Sequence, residues 1–76
     1  LDSIGKTSEQ REIWVLRLSK AKPAANLPAT LFMGGHHARE HVSAEVPLFL
    51  AKYLVENYQQ KNPRIVSMLE NQEIFI

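Results

Sequence analysis

The chain has no cysteine, so no disulfide staples it, and any metal site must be built from His, Asp or Glu. Neither sign of charge is in excess: nine Lys and Arg stand against eight Asp and Glu, for a net charge of +1. The basic residues are scattered and form no stripe. That removes the electrostatic case for a nucleic-acid or membrane-surface partner. No apolar run approaches the roughly 20 residues of a membrane span, and no signal-like basic and apolar regions open the chain. Internal repeats and low-complexity segments are lacking too. The first residue is Leu1, not Met, and the last four, Glu73-Ile74-Phe75-Ile76, read as a strand cut in the middle. A piece of a larger protein is the expectation.

What is present has the balance of an ordinary globular protein, 45% apolar and 22% charged. At 76 residues it is at most one small domain, able to bury only about 60% of its unfolded surface. Residues 1–6 are weakly patterned and suit a short edge strand. After the polar turn at 7–10, residues 12–18 are β-branched and aromatic, and they predict a largely buried strand broken only by Arg17. The short connection predicts a hairpin between the two segments. Residues 19–28, with Pro23, Asn26 and Pro28, read as a loop. Residues 29–33 predict a short strand, apolar on both faces and so interior to the sheet, stopped by Gly34-Gly35.

From about Val42 the apolar period becomes helical. Val46, Leu50, Tyr53 and Leu54 form one face, read as core packing, and Trp14 is read the same way. Ser43 is a candidate cap. Pro47 removes a backbone hydrogen bond, so the helix either starts late or bends there. Residues 59–63 end it, 64–70 suggest one or two more helical turns, and 73–76 form the last strand. The order is strand, strand, strand, helix, helix, strand. It predicts an α/β protein, part of a mixed open sheet with covering helices, whose third and last strands enclose one βαβ crossover.

The chemistry is concentrated in one place. His36-His37-Ala38-Arg39-Glu40-His41 holds every histidine of the chain, directly after a strand and two glycines. That is the carboxyl end of a strand, where open α/β sheets bind their ligands. Imidazole and carboxylate are the donors zinc takes when thiolate is absent. Three readings are open. His37 and Glu40, three apart, can converge on one ion if the segment turns like the first turn of a helix. The string His37-x-x-Glu40-His41 also matches an inverted zinc-protease pattern, which needs both histidines inside one helix. The plain alternative is a solvated loop whose histidines titrate near neutral pH.

Gly34-Gly35-His36-His37-Ala38-Arg39-Glu40-His41-Val42-Ser43, preceded by an apolar strand, resembles the zinc-binding motif of the metallocarboxypeptidases of the carboxypeptidase A and B family. The likeness spans the chain. Residues 3–9 and 11–16 resemble the family's opening hairpin, residues 51–58 the helix after the motif, and residues 62–65 and 73–76 the approach to the next strand. The doubled histidine and His41 are most similar to the bacterial branch typified by carboxypeptidase T. The sequence departs from the family at Gln10, where a turn glycine is common, and at Pro47.

The resemblance implies that His37 and Glu40 are zinc ligands and that Arg39 contacts the substrate near the scissile peptide. It also implies that a third histidine ligand, a glutamate base, carboxylate-binding arginines and a pocket tyrosine lie beyond Ile76. The expected partners are peptide or protein C-termini, and the expected setting is secreted or extracellular. On this reading residues 1–76 are the N-terminal fragment of one catalytic domain. The fragment alone is expected to bind zinc weakly, to hydrolyse nothing, and to self-associate through an unpaired edge and an uncovered face. The competing expectation is a non-catalytic carboxypeptidase-like binding module.

Overall fold

The computed structural model describes residues 1–22 and 26–76. Pro23, in the middle of the expected 19–28 loop, lies outside the described residues. Two strands open the chain, β1 (Asp2–Lys6) and β2 (Glu12–Val15), paired antiparallel as the expected hairpin. β1 carries an irregularity between Ser3 and Gly5. The turn closes through Gln10 N–H to the Thr7 carbonyl (2.9 Å) and Thr7 N–H to the Arg11 carbonyl (2.8 Å). Gln10 pays for that geometry with a left-handed φ of +66°. Glycine adopts this conformation freely, whereas a side chain costs about 1 kcal/mol there. Gln10→Gly is therefore expected to raise the melting temperature slightly, by up to about 0.5 kcal/mol of stability once the roughly 0.4–1 kcal/mol of glycine's greater unfolded-state entropy is subtracted. A melting temperature that falls would refute the strain argument.

The expected strand over residues 12–18 divides at Leu16. β3 (Arg17–Leu18) leaves the hairpin and pairs antiparallel with β5 (Glu73–Phe75), which pairs in parallel with β4 (Ala29–Leu31) on its other side. Leu16 and Ile76 exchange both backbone hydrogen bonds, at 2.7 and 2.9 Å, and so carry the ladder past β3. One extended stretch thus serves two sheets. The parallel pairing of β4 and β5 encloses the two helices, which confirms the βαβ crossover. β5 is the middle strand and β4 an edge among the described residues, so the interior position expected for residues 29–33 is not observed.

A diagonal side-chain pair ties β3 to β5. Arg17 Nε donates to Glu73 Oε1 at 2.8 Å, and Nη2 reaches the same oxygen and the Ala21 carbonyl. The arginine that interrupts the apolar run is therefore a strand clamp. Beyond it, Lys20 N–H donates to the Leu69 carbonyl at 2.8 Å, fastening the chain to the last turn of the second helix. The Lys20 ammonium is held above its ordinary 10.5 by its hydrogen bond to Glu70, then by that carboxylate's charge, with Tyr58 adding less. A raised ammonium favours folding at all pH below 10.5, and that contribution fades as pH rises through the folded value.

α1 (His41–Gln59) begins one residue before the expected start and runs unbroken through Pro47. Its C-terminus is a Schellman motif: Lys61 is left-handed (φ +58°), Asn62 N–H reaches the Asn57 carbonyl and Lys61 N–H the Tyr58 carbonyl, both at 3.0 Å. Asn62 then caps α2 (Pro63–Asn71), its side chain accepting from Arg64 N–H at 3.1 Å with Pro63 in the first turn. One asparagine ends one helix and starts the next.

The core is Leu54, Ile65, Leu69 and Ile74, packed by Leu18, Leu50, Tyr58 and Met68. It sits between the second half of α1, α2 and the middle strand. Leu50 and Leu54 meet the expectation for the helix face. Val46 and Tyr53 do not: both are exposed, at 58% and 46%. Trp14, 58% exposed, is likewise not core: it lines an open apolar cleft with Phe32, Met33 and Leu48.

Candidate metal site

β4 delivers the chain to its carboxyl end, and the two glycines bring it against the first turn of α1. A Cβ on Gly34 would lie 1.8 Å from the Ser43 carbonyl oxygen and 3.0 Å from Pro47 Cγ. Only glycine fits there. Pro47 has no N–H to offer the Ser43 carbonyl four residues back. Gly35 is left-handed (φ +72°) and rests on Ala44, 3.3 Å from where its Cβ would stand.

The chain then makes a tight turn, closed by Glu40 N–H to the His37 carbonyl at 3.0 Å. This turn brings His37 Nδ1 and Glu40 Oε1 to 3.1 Å, with the two side chains 72% and 43% exposed. His37 precedes the helix and His41 is its first residue, so the two do not share a helix face. The inverted zinc-protease reading requires that face and is overturned. Adjacent histidines also diverge. His36 lines an apolar cleft with Trp14, Phe32, Met33 and Leu48, while its neighbour meets Glu40. Arg39 lies between the paired residues, exposed. Ser43, expected as a cap, is inside the helix; the cap position is Glu40, without a side-chain cap bond.

The donor atoms can be tested against an ion. A tetrahedral zinc with bonds of about 2.1 Å sets its ligand atoms about 3.4 Å apart. The 3.1 Å observed differs by a few tenths, and exposure leaves both side chains free to adjust. An imidazole nitrogen and a carboxylate oxygen are acceptable donors, so the pair fits. Among the described residues no group of three or more His, Asp or Glu converges. The pair is therefore one protein ligand short of the three that a catalytic zinc uses.

A parallel βαβ unit with an imidazole–carboxylate pair at the carboxyl end of its first strand defines a class, the α/β proteins that bind ligands at the sheet's carboxyl edge. The zinc carboxypeptidase family model matches residues 1–76, and the chain belongs to that family. It is 38% identical over 78 residues to a zinc carboxypeptidase of Saccharothrix mutabilis subsp. capreolus, covering 100% of this chain and 18% of the relative. It is 32% identical over 92 residues to carboxypeptidase D of Rattus norvegicus, covering 100% of this chain and 7% of the relative. Carboxypeptidase A4 of Mus musculus is 36% identical over 73 residues, covering 96% and 17%. The chain thus spans less than a fifth of the length of these curated relatives. No solved structure matches it significantly.

Proposed function

We propose that residues 1–76 form the N-terminal part of the catalytic domain of a zinc carboxypeptidase, in which His37 and Glu40 supply two of three protein ligands to one zinc ion. The observation that carries this reading is the 3.1 Å approach of His37 Nδ1 to Glu40 Oε1 at the carboxyl end of β4. Bound there, zinc would supply a Lewis acid for attack on a peptide carbonyl. The chain's own part is to hold two donors on a turn anchored by a strand and a helix. Arg39, exposed on the same turn, would contact the substrate near the bond to be cut. The substrates are the C-termini of peptides and proteins, and an extracellular setting belongs to the same reading.

The third ligand, the base and the carboxylate-binding arginines would come from elsewhere in the parent protein. The parent is therefore expected to release C-terminal amino acids, and the isolated 76-residue chain to release none and to hold zinc weakly. Amino-acid release measured for both proteins on one peptide set tests this. A parent without activity that still binds peptide C-termini would favour the non-catalytic module instead.

The isolated chain is also expected to self-associate. Met33, Leu48 and Phe49 are each more than 60% exposed, and β4 is a free edge among the described residues. Light scattering showing a compact monomer would count against this.

A further inference from the structure

We propose that Ser43 is a positioning residue for the ligand turn: its hydroxyl ties the end of the strand to the backbone of Glu40 and so holds the carboxylate beside His37. This rests on the reading of His37 and Glu40 as ligands. Ser43 Oγ donates to the Glu40 carbonyl at 2.8 Å and accepts from Gly35 N–H at 3.0 Å. One hydroxyl proton and one lone pair are thereby used on two separate points of the connection between β4 and α1. The chain of bonds runs on, because Glu40 N–H donates to the His37 carbonyl. Gly35, Ser43, Glu40 and His37 are linked in series, and the two proposed ligands stand at its far end.

A serine in the first turn of a helix often bonds back to a carbonyl three or four residues earlier, with local consequences only. Two observations separate Ser43 from that case. Its oxygen also receives the N–H of Gly35, early in the connection from β4, so it fastens that connection to the helix as well as to Glu40. In addition, Glu40 occupies the cap position with φ −95° and ψ +61°, no side-chain cap bond, and no acidic residue follows in the first turn. Both proposed ligands are largely exposed and gain little from packing, so their separation depends on the backbone beneath them. Groups that orient metal ligands from behind are worth about 10–100-fold in metal affinity.

The test compares Ser43→Ala and Ser43→Thr with the unmodified zinc-loaded parent protein. Zinc loss to a chelator and melting of the metal-free protein are both measured. Ser43→Ala is expected to speed zinc loss about tenfold. Ser43→Thr, which keeps the hydroxyl, is expected to restore the original rate. Unchanged zinc loss in Ser43→Ala overturns the proposal. So does a loss that Ser43→Thr fails to restore, or one that follows a matching drop in the melting of the metal-free protein, since a merely structural role gives those results. His37→Ala is run alongside: if it too keeps its zinc, the ligand reading has failed, whereas if it alone loses zinc, only the role of Ser43 has.

Discussion

Replacing His37 with Ala in the intact parent protein is expected to weaken zinc binding about a hundredfold or more. Structural zinc sites with four ligands bind with about 10–16 kcal/mol, or roughly 3 kcal/mol per ligand, and about 1.4 kcal/mol is a factor of ten. Glu40→Ala should act similarly. Glu40→Gln should cost less, because it keeps an oxygen donor and loses only the charge. Without metal, His37 Nδ1 stands 3.1 Å from Glu40 Oε1. That spacing is close to the one that two ligands of a single tetrahedral zinc adopt. His36→Ala and His41→Ala are the controls: His36 lines the apolar cleft and His41 is already in the helix, so both should keep full zinc occupancy. Chelator competition with metal analysis reads all five variants. Zinc retained at full affinity in His37→Ala, or lost equally in His36→Ala, would remove the pair from its proposed role.

Much of this site was legible in the sequence because its information is local. The strand, double glycine, cluster and helix follow one another within about thirty residues, and a ligand pair three apart needs only one turn of chain. The hairpin and crossover were legible for the same reason: a short polar turn, and a helical period between two apolar strands. What the sequence could not give depends on residues far apart in the chain. Residues 12–18 look like one strand, but Glu12 and Ile13 pair with β1 while Arg17 and Leu18 pair with residues nearly sixty positions away. Trp14 has the composition of core, yet composition does not say whether a second layer exists to cover it. Val46 and Leu54 share an apolar stripe, and only Leu54 is met by α2 and β5. Ser43 was visible as a capping residue; that its partner is Gly35, eight residues back, emerges only from the approach of strand to helix.

That approach is the most demanding contact in the structure, and Gly34→Ala is the substitution expected to damage the fold most. The added Cβ would stand 1.8 Å from the Ser43 carbonyl oxygen, 2.8 Å from its carbon and 3.0 Å from Pro47 Cγ. The two nearest atoms are helix backbone, which cannot swing aside like the tip of a long side chain. Overpacking costs about 1–3 kcal/mol where side chains can adjust. Here the cost should be at or above the top of that range, a large share of the roughly 5–15 kcal/mol that holds a domain together. Gly35→Ala makes the informative comparison. Its need is mainly conformational: at φ +72° an alanine costs about 1–2 kcal/mol, and its 3.3 Å contact with the Ala44 side chain adds little. Denaturant midpoints should therefore fall further for Gly34→Ala than for Gly35→Ala. Pro47→Ala should not rescue Gly34→Ala, because it relieves the Cγ contact and leaves the backbone clash in place. Equal midpoints for the two glycine variants, or a rescue by Pro47→Ala, would mean that the strand end does not lie against the Ser43 carbonyl. If it does, relieving the clash must move the strand end away from the helix, and with it Gly35 N–H from the Ser43 hydroxyl. Gly34→Ala should then lower zinc affinity together with stability, although neither Gly34 nor Gly35 is among the proposed ligands.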